Sequence, residues 1–216
     1  MKRMKLLVSV ILAACFVFSI GCMKKASQEV DTGTFTGSVY QNNFFGLTIT
    51  CPSDWSIQDT ESMQNLRNMG KKMIGDDKNL KTAMEVSELQ TVHLFAVFEH
   101  PVGTPVPFNP NLMCLAERVR HMPGIKRGKD YHYHTKNLLK SSQVTVKFPE
   151  PIYSETFGEV EFDVLYSETS FGSVVVKQKQ FAAIMKGYVL IFVITFANED
   201  QEAALEEILE TLTFKI

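Results

Sequence analysis

Residues 172–196 read GSVVVKQKQFAAIMKGYVLIFVITF. Two long extended segments, Gly172–Met185 and Tyr188–Phe196, meet at Lys186-Gly187, and the pattern predicts a hairpin. Tyr188–Phe196 is apolar at every position except Thr195. A strand with no polar face is one covered on both sides, so this pair predicts an antiparallel sheet flanked by helices on both faces. Downstream, Asn198-Glu199-Asp200-Gln201 has the form of a capping box, with acids in the first turn where the helix dipole favours them. Leu205, Ile208, Leu209 and Leu212 then recur at i, i+3, i+4 and i+7, an apolar stripe for that sheet. A short last strand, Phe214–Ile216, closes the segment.

The opposite end of the 216-residue chain has a different character. Met1–Lys5 carries Lys2, Arg3 and Lys5, and Leu6–Ile20 is an uncharged, mostly apolar run. That run has the length of a signal peptide's apolar core and is short for a membrane-spanning helix. It ends in Ser19-Ile20-Gly21-Cys22, which resembles a bacterial lipobox, with cleavage ahead of Cys22 and acylation of its thiol. Leu12-Ala13-Ala14-Cys15 is a closer local match, but it leaves FVFSIG on the mature chain. Cys22 is the expected lipid site; an uncleaved anchor, Cys15 and simple secretion are the alternatives. The expected division is a signal peptide over 1–21, a flexible tether over 22–43 and one domain over 44–216. Residues 1–21 hold three of the 22 bases and none of the 24 acids, so the mature chain has 19 bases, 24 acids and a net charge of −5. That balance argues against a general nucleic-acid binder.

Inside the domain, Phe44–Cys51 alternates as a strand and Pro52 stops it. Trp55, the only tryptophan, opens the next extended piece. Met63–Ile74 and Leu80–Ser87 carry helical spacing, and Thr91–Glu99 reads as a buried strand. His100–Pro110 holds four of the eight prolines and reads as a stiff loop. Asn109-Pro110 is the N-cap and first-turn pair of a helix expected to run to His121, with Cys114 beside its Leu112/Leu115/Val119 stripe. A further helix is expected over Lys129–Ser141, with Tyr131, Thr135 and Leu138 on one face. Strands follow at Val144–Phe148, Ile152–Glu155 and Glu159–Thr169.

Several residues invite chemistry. His132 and His134 sit two apart, which on a helix points them to different faces, so a solvated helix surface is expected rather than a metal pair. His93 reads as a core residue and His100 as a loop residue. Most of Glu155, Glu159, Glu161, Asp163 and Glu168 alternate with apolar residues, the pattern of a solvated sheet edge or rim, with a calcium site as the alternative. Cys51 and Cys114 are expected as buried thiols or as a disulfide pair. No nucleophile elbow or phosphate loop appears, and no catalytic residue, metal or cofactor is expected.

Charge is segregated. Arg118, Arg120, Lys126, Arg127, Lys129, Lys136, Lys140 and Lys147 face Asp130 alone over 118–147, whereas Glu199–Glu210 holds six acids and no base. The basic residues, with Trp55 as an aromatic anchor beside the proline loop, form the expected partner surface. Solvated helices and a core tryptophan are the plainer readings.

Phe45-Gly46-Leu47 running into Pro52-Ser53-Asp54-Trp55 resembles the opening of PsbP-like domains. The ending is similar too: Lys177-Gln178-Lys179-Gln180-Phe181, a Gly187-Tyr188 turn, an apolar strand, an acidic helix and Phe214. With the lipobox, the chain looks like bacterial lipoproteins of the DcrB-related type. The resemblance implies an α+β fold, a three-layer α/β/α sandwich on a mainly antiparallel sheet of about six strands. It implies an accessory or binding role and no shared catalytic residues. The expected function is therefore a lipid-anchored, non-enzymatic accessory or binding protein of the bacterial cell envelope, held on the membrane and meeting an envelope protein. The rival readings are a hydrolase or metal-dependent enzyme using His100, His132, His134 and the acids of 155–163, and a structural subunit docking through its basic helices.

Overall fold

A computed structural model of the chain describes residues 30–58, 62, 90–141, 145–171 and 174–215. Within the unit Asp31–Ile216, these residues form strands β1 (Thr34–Thr36), β2 (Val39–Asn42), β3 (Leu47–Thr50), β4 (Ser56–Ile57), β5 (Thr91–Phe98) and β6 (Asn111–Arg118). Helix α1 (Gly128–Ser141) precedes β7 (Val146–Lys147), β8 (Tyr153–Phe157), β9 (Val160–Phe171), β10 (Val174–Met185) and β11 (Tyr188–Phe196). Helix α2 (Glu199–Glu210) and β12 (Thr213–Phe214) complete the order. An eight-stranded sheet runs β4-β5-β6-β11-β10-β9-β7 with β8 also on β9, and a four-stranded sheet runs β1-β2-β3-β12. Every pairing is antiparallel.

The hairpin forms as its sequence predicts. β10 and β11 pair from Lys177↔Phe196 to Met185↔Tyr188. Lys186 (φ 51°) and Gly187 (φ 87°) make a two-residue turn with both φ positive, whose twist matches that of the strands. At Gly187 a Cβ would lie 2.2 Å from Nε of Arg120, whose Nη2 donates to the Lys186 carbonyl at 3.1 Å. β11 sits between β6 and β10, so both faces of its apolar run are covered, as expected. One face, with Val189, Ile191 and Ala182, packs against Val119, Ile125 and Tyr131. The other face holds Phe192, whose ring meets Phe95 and Phe162; Phe95 meets Tyr40, and Phe162 meets Phe214. The four-stranded sheet thus adds its aromatics to the second face. Lys179 on that face reaches Glu202 and Glu206 of α2.

Four expectations change. The sheet of about six strands is replaced by sheets of eight and four. The helix expected from Asn109-Pro110 to His121 is strand β6. Leu112, Cys114 and Ala116 are fully buried on one of its faces, Met113 and Leu115 are half-buried on the other, and β5 and β11 flank it. A strand covered on both faces loses its period of two, and i, i+3 coincidences then imitate a helix. Asn109 instead closes the proline loop, accepting from the His100 N–H and donating to its carbonyl. The tether expected to end at 43 overlaps β1 and β2, because Phe35 and Tyr40 pair across these strands and pack on Phe95. The last strand is Thr213–Phe214 and pairs with β3, not with the hairpin's sheet. The helices expected over 63–87 and the lipid site Cys22 lie outside the described residues.

Candidate functional site

Helix α1 carries the basic surface, and three contacts fix it on β9 and β10. Gly128 meets β10 so closely that a Cβ there would lie 2.0 Å from the Ala182 carbonyl oxygen. Asp163, only 5 % exposed, turns its carboxylate to the helix start. It accepts from the Lys129 N–H at 2.8 Å, from the Arg127 guanidinium at 3.2 Å and from the Ser154 hydroxyl at 3.1 Å. A carboxylate at a helix N-terminus satisfies donors that the helix leaves open. One turn on, the fully buried His132 donates from Nε2 to the Asp163 carbonyl at 2.9 Å. Burial pushes its pKa below the ordinary histidine value, against smaller raising effects of the Asp163 and Gln180 carbonyls and the Asp163 charge. Asp130, on the exposed side, accepts from the Lys126 and Arg127 N–H groups, which hold its carboxyl below the usual range.

Two sequence expectations are corrected here. His132 is not on a solvated helix surface, whereas His134 is; α1 lies along β9 and β10, and its buried side is set by Gly128 and His132. Asp163 is not on a solvated rim, because α1 covers the β9 face that it occupies. Glu161 is exposed and pairs with Arg127 at 2.8 Å. Glu159 lies in the β8–β9 turn, half-buried Glu155 has its pKa raised by desolvation, and Glu168 accepts from Tyr166. Tyr131 reaches across to β6 and donates to Glu117 at 2.7 Å.

The outward face of α1 is basic. Lys126, Lys129 and Lys140 are exposed; Lys129 lies 5.8 Å from the ring of Tyr133, itself 49 % exposed, and Lys136 lies 4.9 Å from the ring of Phe148. Arg127 joins them, with its charge met by Glu161 and Asp163. Arg118 and Arg120 are exposed near the β10–β11 turn, Arg118 beside Tyr188 in register and Arg120 on the Lys186 carbonyl. Trp55 is not part of this surface. It is half-buried ahead of β4, the edge strand separated from β10 by β5, β6 and β11. On the other face of the sheet, α2 presents Glu199, Asp200, Glu207 and Glu210, while Lys179 from β10 neutralises part of Glu202 and Glu206. Burial alone would lower the Lys179 pKa, but its bonds to these two glutamates raise it above the ordinary value.

The proline loop lines a groove, and Trp55, expected beside that loop, is not among the lining residues. Pro107 and Phe108 form one wall, Val174 and Val175 the other, over a volume of about 430 Å³. Sequence reasoning missed Val174 and Val175, which looked like ordinary strand residues. Cys51 and Cys114 are both free and buried. Burial raises the Cys51 thiol to about 12 and the Cys114 thiol well above its usual value, which withholds the thiolate that nucleophilic chemistry needs. Among the described residues, no three His, Cys, Asp or Glu side chains converge on a metal-binding position. His100, at the end of β5, is not brought to His132, and exposed His134 points away from it. No described helix is long and apolar enough to cross a membrane.

No protein-family model and no curated protein matches the chain. Among solved structures, cyanobacterial PsbP (CyanoP) from Synechocystis sp. PCC 6803 aligns with a TM-score of 0.50 at 11 % identity, covering 87 % of this chain and 99 % of that one. LpqN, described as involved in cell envelope biogenesis of Mycobacterium tuberculosis, aligns with a TM-score of 0.45 at 13 % identity, covering 79 % and 83 %. The likeness to CyanoP bears on fold alone, and the fold is PsbP-like α+β.

Proposed function

We propose that this chain is a lipid-anchored, non-enzymatic accessory or binding protein of the bacterial cell envelope. Its lipid sits on Cys22, and its basic α1 face rests against anionic head groups. The observation that carries this reading is the opposition of charge across the eight-stranded sheet, with lysines outward on α1 and exposed acids outward on α2. A domain with that polarity has one favoured orientation on an anionic surface: α1 toward it, α2 away. The lipobox-like Ser19-Ile20-Gly21-Cys22 supplies the anchor, since two or three acyl chains hold a protein where one would be marginal. The DcrB-related lipoprotein type, and the layering of α1, the large sheet and α2 as a three-layer sandwich, belong to the same reading. An envelope protein partner would meet the same basic face. Fractionation of cells making wild type and Cys22→Ala tests the anchor. Wild type is expected with the membranes and Cys22→Ala in the soluble fraction. A Cys22→Ala protein that stays on the membrane, with wild type unprocessed, would overturn it.

A further inference from the structure

Among the described residues, the eight-stranded sheet leaves one lane unfilled. β11 ends at Phe196, whose partner on β10 is Lys177, and the chain leaves through Ala197 and Asn198 into α2. β10 starts three residues earlier, and Val174, Val175 and Val176 pair with Phe171, Ser170 and Thr169 of β9. On the far side of β11, β6 starts at Asn111 opposite Thr195, preceded by Pro110. Beyond Phe196 the lane that β11 fills is therefore open among the described residues, and the Pro107-Phe108 segment lies across it from β10. This lane is the groove of about 430 Å³ lined by Pro107, Phe108, Val174, Val175, Ala197 and Gln201. A polar pocket lined by Lys177, Asn198, Glu199 and Asp200 adjoins it, sharing Ala197 and Asn198.

Successive residues of an antiparallel strand send their N–H and C=O groups to alternate sides. Within Val174–Val176 at least one residue points both groups into the slot, and among the described residues no backbone group takes them. Val174 and Val175 are 36 % and 42 % exposed, with neither charge nor proline among Val174–Val176 to discourage pairing. We propose that this lane docks an extended peptide segment of a partner protein, added to β10 as a strand alongside Val174–Val176. Such binding takes affinity from main-chain bonds and specificity from alternate side chains. The open backbone edge decides the class of occupant: it offers main-chain bonds, which an extended strand can take and an α-helix, its own groups paired internally, cannot. Apolar side chains of the peptide lie beside Val174, Val175 and Phe108. A Lys or Arg lies toward Glu199 and Asp200, two exposed carboxylates against the single base Lys177. The Asn109–His100 bonds hold the loop that carries Phe108, so this wall is preorganised.

Selection from a displayed random heptapeptide library against the mature protein, with counter-selection on Val175→Lys, tests the assignment. Both that site and Phe108→Ala, on the opposite wall, lie outside the buried core, so two variants report on one slot. Enriched peptides are expected to alternate apolar and polar residues and to carry a Lys or Arg. They should perturb the amide resonances of Val174–Lys177 and Phe108. Affinity should fall by about tenfold or more in either variant, and equally when alternate peptide amides are N-methylated. No enrichment over Val175→Lys, or indifference to N-methylation, would overturn the proposal. Self-association of the protein that Val175→Lys abolishes would also overturn it, because the lane then belongs to a second copy.

Discussion

His132 ties the stability of the fold to pH. Its ring is enclosed between α1 and the sheet, with the Asp163 carbonyl and carboxylate on β9, the Gln180 carbonyl on β10 and the Tyr131 ring beside it on α1. Desolvation holds its folded pKa below the ordinary value, so the folded chain stays neutral there while the unfolded chain takes up a proton below about pH 6.5. The unfolded state then binds more protons. Stability from this group is full above about pH 6.5 and is lost as pH falls toward the folded value. The slope is at most about 1.4 kcal/mol per pH unit. Urea unfolding of wild type and His132→Gln at pH 7.5 and 5.5 should show the acid loss in wild type and a smaller one in the variant. Parallel losses would show that another group carries the effect. Neither His132 nor Asp163 was legible as a buried residue. Spacing assigns a side chain to a face, but not what covers that face, and Asp163 looked like the polar half of an alternating strand.

At the scale of elements, the seating of α1 depends on the close approach of its first residue to β10. The contact of Gly128 with the Ala182 carbonyl leaves no room for a methyl group. Gly128→Ala should therefore destabilise the fold by about 2–3 kcal/mol. Gly124→Ala, whose Cβ would meet nothing within 4 Å, should be near neutral. Equal melting temperatures for the two variants would mean that α1 does not dock as described. The hairpin and α2 were legible because local chemistry and burial agree in them. Lys186-Gly187 turns, β11 is apolar throughout, and Asn198 caps α2 by accepting from the Gln201 N–H, while Gln201 accepts from the Ala197 N–H. β6 was not legible because Leu, Met, Ala, Glu and Arg favour helices on their own, and only its position between β5 and β11 makes them a strand.

Across the whole molecule, the smaller sheet was hidden because its strands are two to four residues long and its apolar content rests on a few residues such as Phe35, Tyr40 and Leu47. What was legible was the charge, and the fold places it on opposite faces of one sheet. The most direct test of the account is binding of the unlipidated chain, residues 23–216, to phosphatidylglycerol-containing vesicles and to neutral phosphatidylcholine vesicles. Each lysine near an anionic surface contributes about 1 kcal/mol, and salt screens it over about 10 Å at 0.1 M. Binding is expected to the anionic vesicles alone, to weaken with salt, and to vanish in Lys129→Glu/Lys136→Glu/Lys140→Glu. Equal binding to neutral vesicles, or undiminished binding by the triple variant, would contradict the account.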